Sequence, residues 1–376
     1  MTSLKVLSVL GTRPEAIKLA PVIRRLQETP GIEAPLCVTA QHRHMLDQVL
    51  HLFDLRPQHD LGLMQENQTL AGLTAAAVES LDPVLQAERP DWVLVQGDTT
   101  TVLAASLVAF YHHIRVGHVE AGLRTDDKYQ PFPEEINRRV TSVVADLHFA
   151  PTEHARQNLL HEGIADERIL VTGNTVIDAL HLAAAMPFDW EHSPLAGLPR
   201  EARLVLVTAH RRENFGAPLE RICRALLSLA SRFAPEVHFV YPVHLNPNVD
   251  GPVREKLSHT VGITLLPPLD YLPMVNLLKG STLVLTDSGG VQEEAPGLGK
   301  PVLVMREVTE RPEGVAAGTV HLVGTDQAAI EREVTRLLTD GKAYAAMAQA
   351  VNPYGDGHAA ARIVDALLRQ TSVREG

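Results

Sequence analysis

Cysteine is scarce in this chain, which has only Cys37 and Cys223 among its 376 residues. Both lie in apolar segments, so we predict buried free thiols in a reducing compartment rather than a disulfide framework. No spacing of histidine, cysteine and carboxylate residues matches a strong metal-site pattern. We therefore predict no metal and no cofactor.

Positive charge and long apolar runs are also lacking. The formal net charge is −11 at pH 7, and no block of like charges forms a basic arm, which argues against a nucleic-acid partner. A small anionic substrate remains compatible with a locally basic site. No apolar stretch approaches the length needed to span a membrane, and the run at residues 6–10 is too short for a signal peptide. We expect a cytoplasmic protein without a membrane partner.

The chain does contain short apolar runs that alternate with longer helical patterns, such as those at residues 17–27 and 70–86. Runs of Val and Leu without polar alternation are typical of strands buried on both faces of a parallel sheet. We predict strands at residues 5–10, 35–39, 92–96, 115–119, 147–150, 169–172, 204–208, 237–241, 263–266, 282–286 and 301–305.

The alternation pauses at residues 186–199, where three prolines indicate a linker. We predict an α/β fold with two Rossmann-like domains facing each other across a cleft. The N-terminal domain would comprise residues 1–175, joined by a C-terminal helix at about residues 356–376. The C-terminal, nucleotide-binding domain would comprise residues 176–355.

Ligands of open parallel sheets bind beyond the carboxyl ends of the strands, so residues in those turns are the candidates for binding and catalysis. GTRPEAIK follows the first strand and matches neither the G-x-G-x-x-G fingerprint nor a P-loop. Its Arg13 is a candidate for a forked contact to phosphate. An ordinary strand-to-helix turn is the alternative interpretation of this segment.

A second turn, at residues 287–290, combines small residues with the start of a helical pattern. Backbone N–H groups at a helix start favour an anion, so Ser288, Gly289 and Gly290 are predicted to bind a diphosphate. Glu294, about one helical turn further on, would reach ribose hydroxyls. A tight turn followed by an acidic helical segment is the alternative.

Carboxylates follow neighbouring strands of the first domain, at Asp98 and Glu120, and Glu134 lies in a later Pro-Glu-Glu segment. Neighbouring carboxylates raise each other's pKa, which provides one base and one acid near neutral pH. Asp98 would otherwise be a helix cap. His210 follows the first strand of the second domain and is a candidate for proton transfer or phosphate contact.

Many segments resemble, in order and spacing, the non-hydrolysing UDP-N-acetylglucosamine 2-epimerase family. The resemblance is carried by GTRPEAIKLAPV, VTAQHRHMLDQVL, GDTTT, GHVEAGLRT, GNTVIDAL, HRRENFG, YPVHLNPNV, LTDSGG, LGKPVL, ERPE and NPYGDG. Two positions depart from the family pattern, since Ala209 and Asp126 stand where glycine is common.

The resemblance implies a fold like that of the B-type glycosyltransferases, and a homodimer. It implies that the sugar and diphosphate are surrounded by Arg13, Lys18, Asp98, Glu120, Glu134 and His210. Phosphate and ribose binding is implied for Ser288, Gly289, Gly290, Glu294 and Arg311. A second, regulatory UDP-GlcNAc site is implied for Gln41, His42, Arg211 and His244.

The implied reaction is the reversible epimerisation of UDP-GlcNAc at C2 to UDP-ManNAc, for cell-surface polysaccharide biosynthesis. Direct removal of the C2 proton is too costly because no carbonyl stands next to it. Elimination of UDP gives a 2-acetamidoglucal instead, and UDP then adds back while a proton reaches the opposite face. The alternatives are a hydrolysing epimerase that releases ManNAc and UDP, a glycosyltransferase of the same fold, and a sugar-nucleotide sensor without catalysis.

Overall fold

A computed structural model describes residues 3–39, 43–64 and 68–372. The chain divides into two compact units, Met1–Ala179 together with Gly355–Gly376, and Leu180–Tyr354. The division falls inside the helix Thr175–Ala185. The proline-containing segment 186–199 belongs to the second unit.

The first unit is built around a sheet whose strand order is β4-β3-β1-β5-β6-β7-β8, with β2 also paired to β1. All of these pairings are parallel. The elements are β1 (Leu4–Leu10), α1 (Arg13–Glu28), β2 (Ile32–Glu33), β3 (Leu36–Val38), α2 (Arg43–Leu52), β4 (His59–Asp60), α3 (Leu70–Glu88), β5 (Trp92–Gln96), α4 (Thr100–Tyr111), β6 (Arg115–Val119), α5 (Glu134–Val144), β7 (Leu147–Ala150), α6 (Glu153–His161), β8 (Ile169–Val171) and α7 (Thr175–Ala185).

The central strands of this sheet are buried because their sequences are apolar on both faces. Every residue of β5 is buried, as a strand covered by helices on both sides requires. The α4 helix carries apolar residues around most of its circumference and packs between α3 and α5. Polar residues therefore lie at the ends of these strands, and ligands of open parallel sheets bind at the carboxyl ends.

The second unit contains a six-stranded sheet in the order β11-β10-β9-β12-β13-β14, and its pairings are also parallel. Its core joins the inner faces of the strands to the helices. The elements are β9 (Arg203–Thr208), α8 (Ala217–Phe233), β10 (Val237–Pro242), α9 (Pro247–Leu257), β11 (Ile263–Leu266), α10 (Tyr271–Gly280), β12 (Ser281–Thr286), α11 (Gly289–Gly297), β13 (Val302–Val304), α12 (Pro312–Ala316), β14 (Val320–Leu322), α13 (Gln327–Thr339) and α14 (Gly341–Ala348).

The last helix, α15 (Ala359–Ser372), packs against α1 of the first unit. Asp178 holds its start, because the carboxylate accepts hydrogen bonds from the backbone N–H groups of Ala359 (3.2 Å) and Ala360 (2.9 Å). A carboxylate at this position satisfies N–H groups that have no partner within a helix.

The eleven predicted strands are confirmed, with ends that differ by at most one residue. Three strands were missed: β2, β4 and β14. They have two or three residues each, and such short pairings leave no apolar run to recognise. The prediction of buried free thiols is confirmed as well, since Cys37 and Cys223 are both free and buried.

Asp126, one of the two departures from the pattern of the family that the sequence resembles, has a positive φ of 61°. Only glycine adopts this backbone region at no cost, and aspartate is among the residues that tolerate it best. The substitution therefore keeps the turn. Within the described residues, no helix is long and apolar enough to cross a bilayer.

Candidate active site

In the first unit, the carboxyl ends of β5 and β6 lie side by side and present two acids. Gln96 pairs with Val119 in register, and the N–H of Gly97 donates to the carbonyl oxygen of Val119 at 3.0 Å. Asp98 and Glu120 follow directly, so the sheet brings together two carboxylates that are 22 residues apart in the sequence. We refer to Asp98, Glu120 and Glu134 as the carboxylate cluster.

Glu120 is the most enclosed member of the carboxylate cluster, with a side chain that is 5% exposed. Lys18 Nζ lies 2.6 Å from both of its oxygens, and Asn174 Nδ2 donates to Oε1 at 3.0 Å. Gln96 Nε2 donates to Oε2. The backbone of Glu120 has a φ of 64°, an uncommon value for a residue with a side chain and one that often marks functional sites.

Asp98 has a side chain that is 29% exposed. Burial raises its pKa to about 6, although Arg138 opposes the change and Glu120 adds to it by repulsion. Arg138 Nη1 lies 3.3 Å from Oδ2. A carboxyl group with a pKa near 6 exchanges its proton readily at neutral pH, as general acid–base catalysis requires.

Glu134 begins α5 and is half-buried, and its charge adds to the repulsion that raises the pKa of Asp98. The neighbouring Glu135 is fully buried and paired with two arginines. Its Oε2 accepts a hydrogen bond from Arg138 Nε at 2.8 Å, and its Oε1 accepts one from Arg139 Nε at 2.8 Å. These ion pairs lower the pKa of Glu135 against the opposing effect of burial, so Glu135 holds Arg138 beside Asp98.

The turn before α1 is fixed by Glu15, a buried residue of the GTRPE segment. Its carboxylate accepts hydrogen bonds from the N–H of Gly11 (2.8 Å), the N–H of Thr12 (2.6 Å) and the hydroxyl of Thr99 (2.5 Å). The last bond ties this turn to the one that carries Asp98. Arg13 is half-buried at the start of α1, and no hydrogen bond or ion pair reaches its guanidinium from the residues that the structure describes.

His118, on β6, supports the same region from within the sheet. It is fully buried, and its Nε2 lies 2.7 Å from the carbonyl oxygen of Gly97, the residue before Asp98. Burial lowers the pKa of His118 to about 4. The ring is therefore neutral at physiological pH, and Nε2 carries the hydrogen that it donates to Gly97.

In the second unit, the turns after β9 and β12 are joined by Asp287. The strands pair in register up to Thr208 and Thr286, whose hydroxyls are 2.6 Å apart. Asp287 Oδ2 accepts hydrogen bonds from the N–H of His210 and the N–H of Arg211, both at 2.8 Å. His210 remains 35% exposed, and burial lowers its pKa while Asp287 opposes that change.

The start of α11 offers backbone N–H groups beside an arginine. Ser288 is the N-cap residue, but its side chain does not cap the helix. A Cβ added to Gly290 would meet nothing within 4 Å among the described residues, and one added to Gly289 would lie 3.5 Å from Arg211 Nη2. An open helix start with an adjacent guanidinium is suited to an anion.

Glu294 and Arg311 lie further along the same unit. Glu294 is half-buried on α11. Arg311 is the N-cap residue of α12, and its guanidinium pairs with the buried Glu293. Arg311 is therefore anchored to α11, and the phosphate and ribose binding implied for it stays a prediction.

The residues of the predicted regulatory site fall into two groups. Gln41 and His42 lie outside the described residues. Arg211 lies beside Gly289, as described above, and the ring of His244 stacks on that of His210, with 5.3 Å between centroids. Among the described residues, no group of three or more His, Cys, Asp or Glu side chains is arranged to hold a metal ion.

Sequence reasoning missed the residues that hold the others in place. These are Glu15, Gln96, His118, Arg138, Asn174 and Asp287. Gln96, Asn174 and Asp287 stand at or just after a strand end, the position that drew attention to Asp98 and Glu120. The signal was available, but a single polar residue in a turn does not indicate which neighbour it contacts.

The fold class predicted from the sequence is confirmed, since each unit is an α/β layer around a parallel sheet, as in B-type glycosyltransferases. MurG of Acinetobacter baumannii matches with a TM-score of 0.62 at 12% identity, covering 97% of this chain and 99% of that one. Such a likeness shows the fold alone. The chain thus belongs to the class of proteins with two Rossmann-like units.

The family follows from closer relatives. The family model described as UDP-N-acetylglucosamine 2-epimerase matches residues 24–368. A protein of that name from Escherichia coli strain K12 is 56% identical over 370 residues, covering 97% of this chain and 98% of the relative. The chain therefore belongs to the UDP-N-acetylglucosamine 2-epimerase family.

Solved structures agree with this assignment. A crystal structure of a UDP-N-acetylglucosamine 2-epimerase matches with a TM-score of 0.92 at 49% identity, covering 100% of this chain and 98% of that one. The Neisseria meningitidis UDP-GlcNAc 2-epimerase bound to UDP-GlcNAc matches with a TM-score of 0.85 at 49% identity, covering 97% of this chain and 100% of that one.

Proposed function

We propose that this protein is a non-hydrolysing UDP-GlcNAc 2-epimerase, which interconverts UDP-GlcNAc and UDP-ManNAc. The observation that carries the proposal is the carboxylate cluster, in which burial raises the pKa of Asp98 to about 6 beside the enclosed Glu120. Nucleotide binding alone does not need such a set of acids. The Neisseria relative was solved with UDP-GlcNAc bound, which supports the same substrate here.

The reaction proceeds by elimination and re-addition. A carboxylate takes the proton from C2 while the C1–O bond breaks, and UDP leaves with the bonding electron pair. The 2-acetamidoglucal that results has a C1–C2 double bond. UDP then adds to C1 while an acid delivers a proton to the opposite face of C2, so atoms and charge balance over the cycle. Asp98, Glu120, Glu134 and His210 form the proton-transfer set.

The departing diphosphate needs positive charge and N–H donors where its negative charge develops. Arg13 offers a guanidinium with no partner among the described residues, and the start of α11 offers Ser288, Gly289 and Gly290. Lys18, which pairs with Glu120 in this structure, adds a further positive charge for the diphosphate. Glu294 binds the ribose, and Arg311, anchored by Glu293, completes the phosphate site.

The test of this mechanism is the fate of the hydrogen at C2. The protein is incubated with UDP-GlcNAc in deuterated buffer, and the sugars are examined by proton and carbon NMR. Both UDP-ManNAc and the recovered UDP-GlcNAc should carry deuterium at C2, because the proton-transfer groups exchange with water. Product without solvent deuterium at C2 would rule out the elimination mechanism.

The same spectra separate the alternatives. A hydrolysing epimerase would give free ManNAc and UDP. A glycosyltransferase would leave C2 unlabelled and would need an acceptor, and a sensor would leave UDP-GlcNAc unchanged.

We further propose a homodimer that uses the carboxyl ends of α4 and α5, two helices that pack against each other. Phe110 and Tyr111 at the end of α4 are 59% and 61% exposed, and Val143 at the end of α5 is 79% exposed. Exposed large apolar and aromatic side chains are typical of a protein interface. The proposed partner of this surface is a second copy of this chain.

We also propose that a second UDP-GlcNAc activates the enzyme, with Gln41, His42, Arg211 and His244 forming its site. Support comes from Arg211 and His244, which lie next to the proposed phosphate site and to His210, respectively. We place the reaction in the cytoplasm, because its substrate is a nucleotide sugar and both cysteines are free thiols.

A further inference from the structure

Asp287 is a fully buried carboxylate directly after β12, and none of the proton transfers proposed above uses it. Its Oδ2 accepts hydrogen bonds from the N–H groups of His210 and Arg211 at 2.8 Å each, and from Asn214 Nδ2 at 2.9 Å. These bonds fix the orientation of the carboxylate and the backbone of the turn that carries His210.

The other oxygen of Asp287, Oδ1, is buried and has no hydrogen-bond partner among the described residues. It lies 3.5 Å from His210 Nδ1. A buried acceptor without a donor is rare in folded proteins and requires an explanation. The distance exceeds the typical N–H···O value of about 2.9 Å, but catalytic hydrogen bonds commonly shorten when the transition state forms.

We propose that Asp287 is a positioning residue for His210, whose Nδ1–H it accepts on Oδ1. This inference rests on the proposed function. With the hydrogen fixed on Nδ1, Nε2 is the ring atom that faces the substrate. It accepts a proton in the neutral ring and donates one in the imidazolium form.

Other groups near His210 also affect whether its ring carries a positive charge. His244 stacks on the ring with an interplanar angle of 11°, and both His244 and Arg211 disfavour a positive charge on it. Burial also lowers the pKa of His210. Of the neighbours Asp287, His244 and Arg211, only Asp287 favours the protonated ring.

Asp287→Asn separates the two roles of the carboxylate. The amide oxygen of asparagine still accepts the three donors that Oδ2 holds, so the turn keeps its structure. The NH2 group then replaces Oδ1 and donates to Nδ1, which forces the ring hydrogen onto Nε2. Asp178→Asn is the control for general destabilisation, because Asp178 is also buried and its two backbone N–H donors reach different oxygens, of which the amide can keep only one.

The experiment combines NMR of the ¹⁵N-histidine-labelled full chain with steady-state kinetics. His210 is assigned by the signal lost in His210→Gln. The wild-type ring should be the Nδ1–H tautomer, and in Asp287→Asn it should be the Nε2–H tautomer with a lower pKa. We expect kcat to fall by about 10²–10⁴-fold with KM changed less than about threefold. Asp178→Asn should leave the His210 signals unchanged.

An unchanged tautomer and pKa of His210 in Asp287→Asn would overturn the proposal, even if kcat fell, because the loss would then be structural. An unchanged kcat would overturn it as well. Absence of epimerisation by the wild-type chain would reject the proposed function instead. The NMR comparison would still decide whether Asp287 controls the ring.

Discussion

At the scale of single residues, Asp98 illustrates how a group suited to catalysis weakens the fold. Its carboxyl group has a pKa of about 6 because burial disfavours the charged form. The folded protein therefore binds this proton more tightly than the unfolded chain, in which the group has an ordinary value near 3.9. Stability from this residue is highest at low pH and decreases as the pH rises from about 4 to 6.

We predict that Asp98→Asn lowers turnover by about 10²–10⁴-fold, since it removes an acid–base group. The same variant should be more stable than the wild type at pH 7 by about 1–3 kcal/mol, because the neutral amide avoids the cost of burying a charge. The difference should shrink as the pH approaches 4. Initial rates, together with urea unfolding between pH 4 and 8, measure both effects.

Asp82→Asn is the matched control, since Asp82 has a side chain that is 56% exposed and pairs with a surface histidine. It should change neither turnover nor the pH dependence of unfolding. Wild-type turnover by Asp98→Asn would leave Asp98 as a structural residue and remove it from the mechanism.

The sequence predicted the positions of Asp98, Glu120 and His210 because each follows a buried strand of a parallel sheet. It did not predict their environments. The pairing of Lys18 with Glu120 and the contact of Arg138 with Asp98 join residues that are 102 and 40 positions apart. Such contacts depend on how the turns pack, which no local pattern encodes.

At the scale of elements, the turn between β1 and α1 requires glycine for reasons of space. A Cβ added to Gly11 would lie 2.4 Å from both Thr39 Oγ1 and Thr101 Oγ1, and these two hydroxyls are hydrogen-bonded at 2.8 Å. The three residues come from three different segments of the first unit. Any larger residue at position 11 has to separate them.

We predict that Gly11→Ala destabilises the protein by about 1–3 kcal/mol, the usual cost of overpacking a buried site. Gly251→Ala is the control, because Gly251 lies within α9 and a Cβ there would meet nothing within 4 Å among the described residues. It should change the stability by less than about 1 kcal/mol, because the gain in helix propensity is opposed by the restriction that Pro252 places on the residue before it. Chemical unfolding measures both, and equal stabilities of the two variants would contradict the prediction.

The sequence predicted strands well where their apolar runs are long. It missed strands that are defined only by their pairing with a neighbouring strand. The residues of β5 and β6 form unbroken or nearly unbroken buried runs, and their bounds were predicted without error. The two-residue strand β4 exists because Cys37 and Val38 pair with it. Its own sequence, His59-Asp60, carries no strand signal.

At the scale of the whole molecule, the exposed side chains at the ends of α4 and α5 make a testable prediction about assembly. The wild type should elute with twice the chain mass of 41.0 kDa, measured by light scattering. Val143→Glu should shift the measured mass toward that of the monomer, because a charge buried in an apolar interface lacks a partner. Val261→Glu, at a position 82% exposed in the second unit, should leave the mass unchanged. A monomeric wild type, or a dimeric Val143→Glu variant, would contradict the assignment of this face.

The last prediction concerns communication between two nucleotide sites. If a second UDP-GlcNAc binds at Gln41, His42, Arg211 and His244, initial rates should depend sigmoidally on UDP-GlcNAc concentration. Pure UDP-ManNAc should react slowly until a trace of UDP-GlcNAc is added. Coupling between sites is reciprocal, so binding of substrate must tighten binding of the activator by the same factor. His42→Ala should make the curve hyperbolic, whereas His259→Ala, at an exposed position of the second unit, should leave it sigmoidal. A hyperbolic wild-type curve, with a reverse reaction that needs no added UDP-GlcNAc, would show that this chain works without the second site.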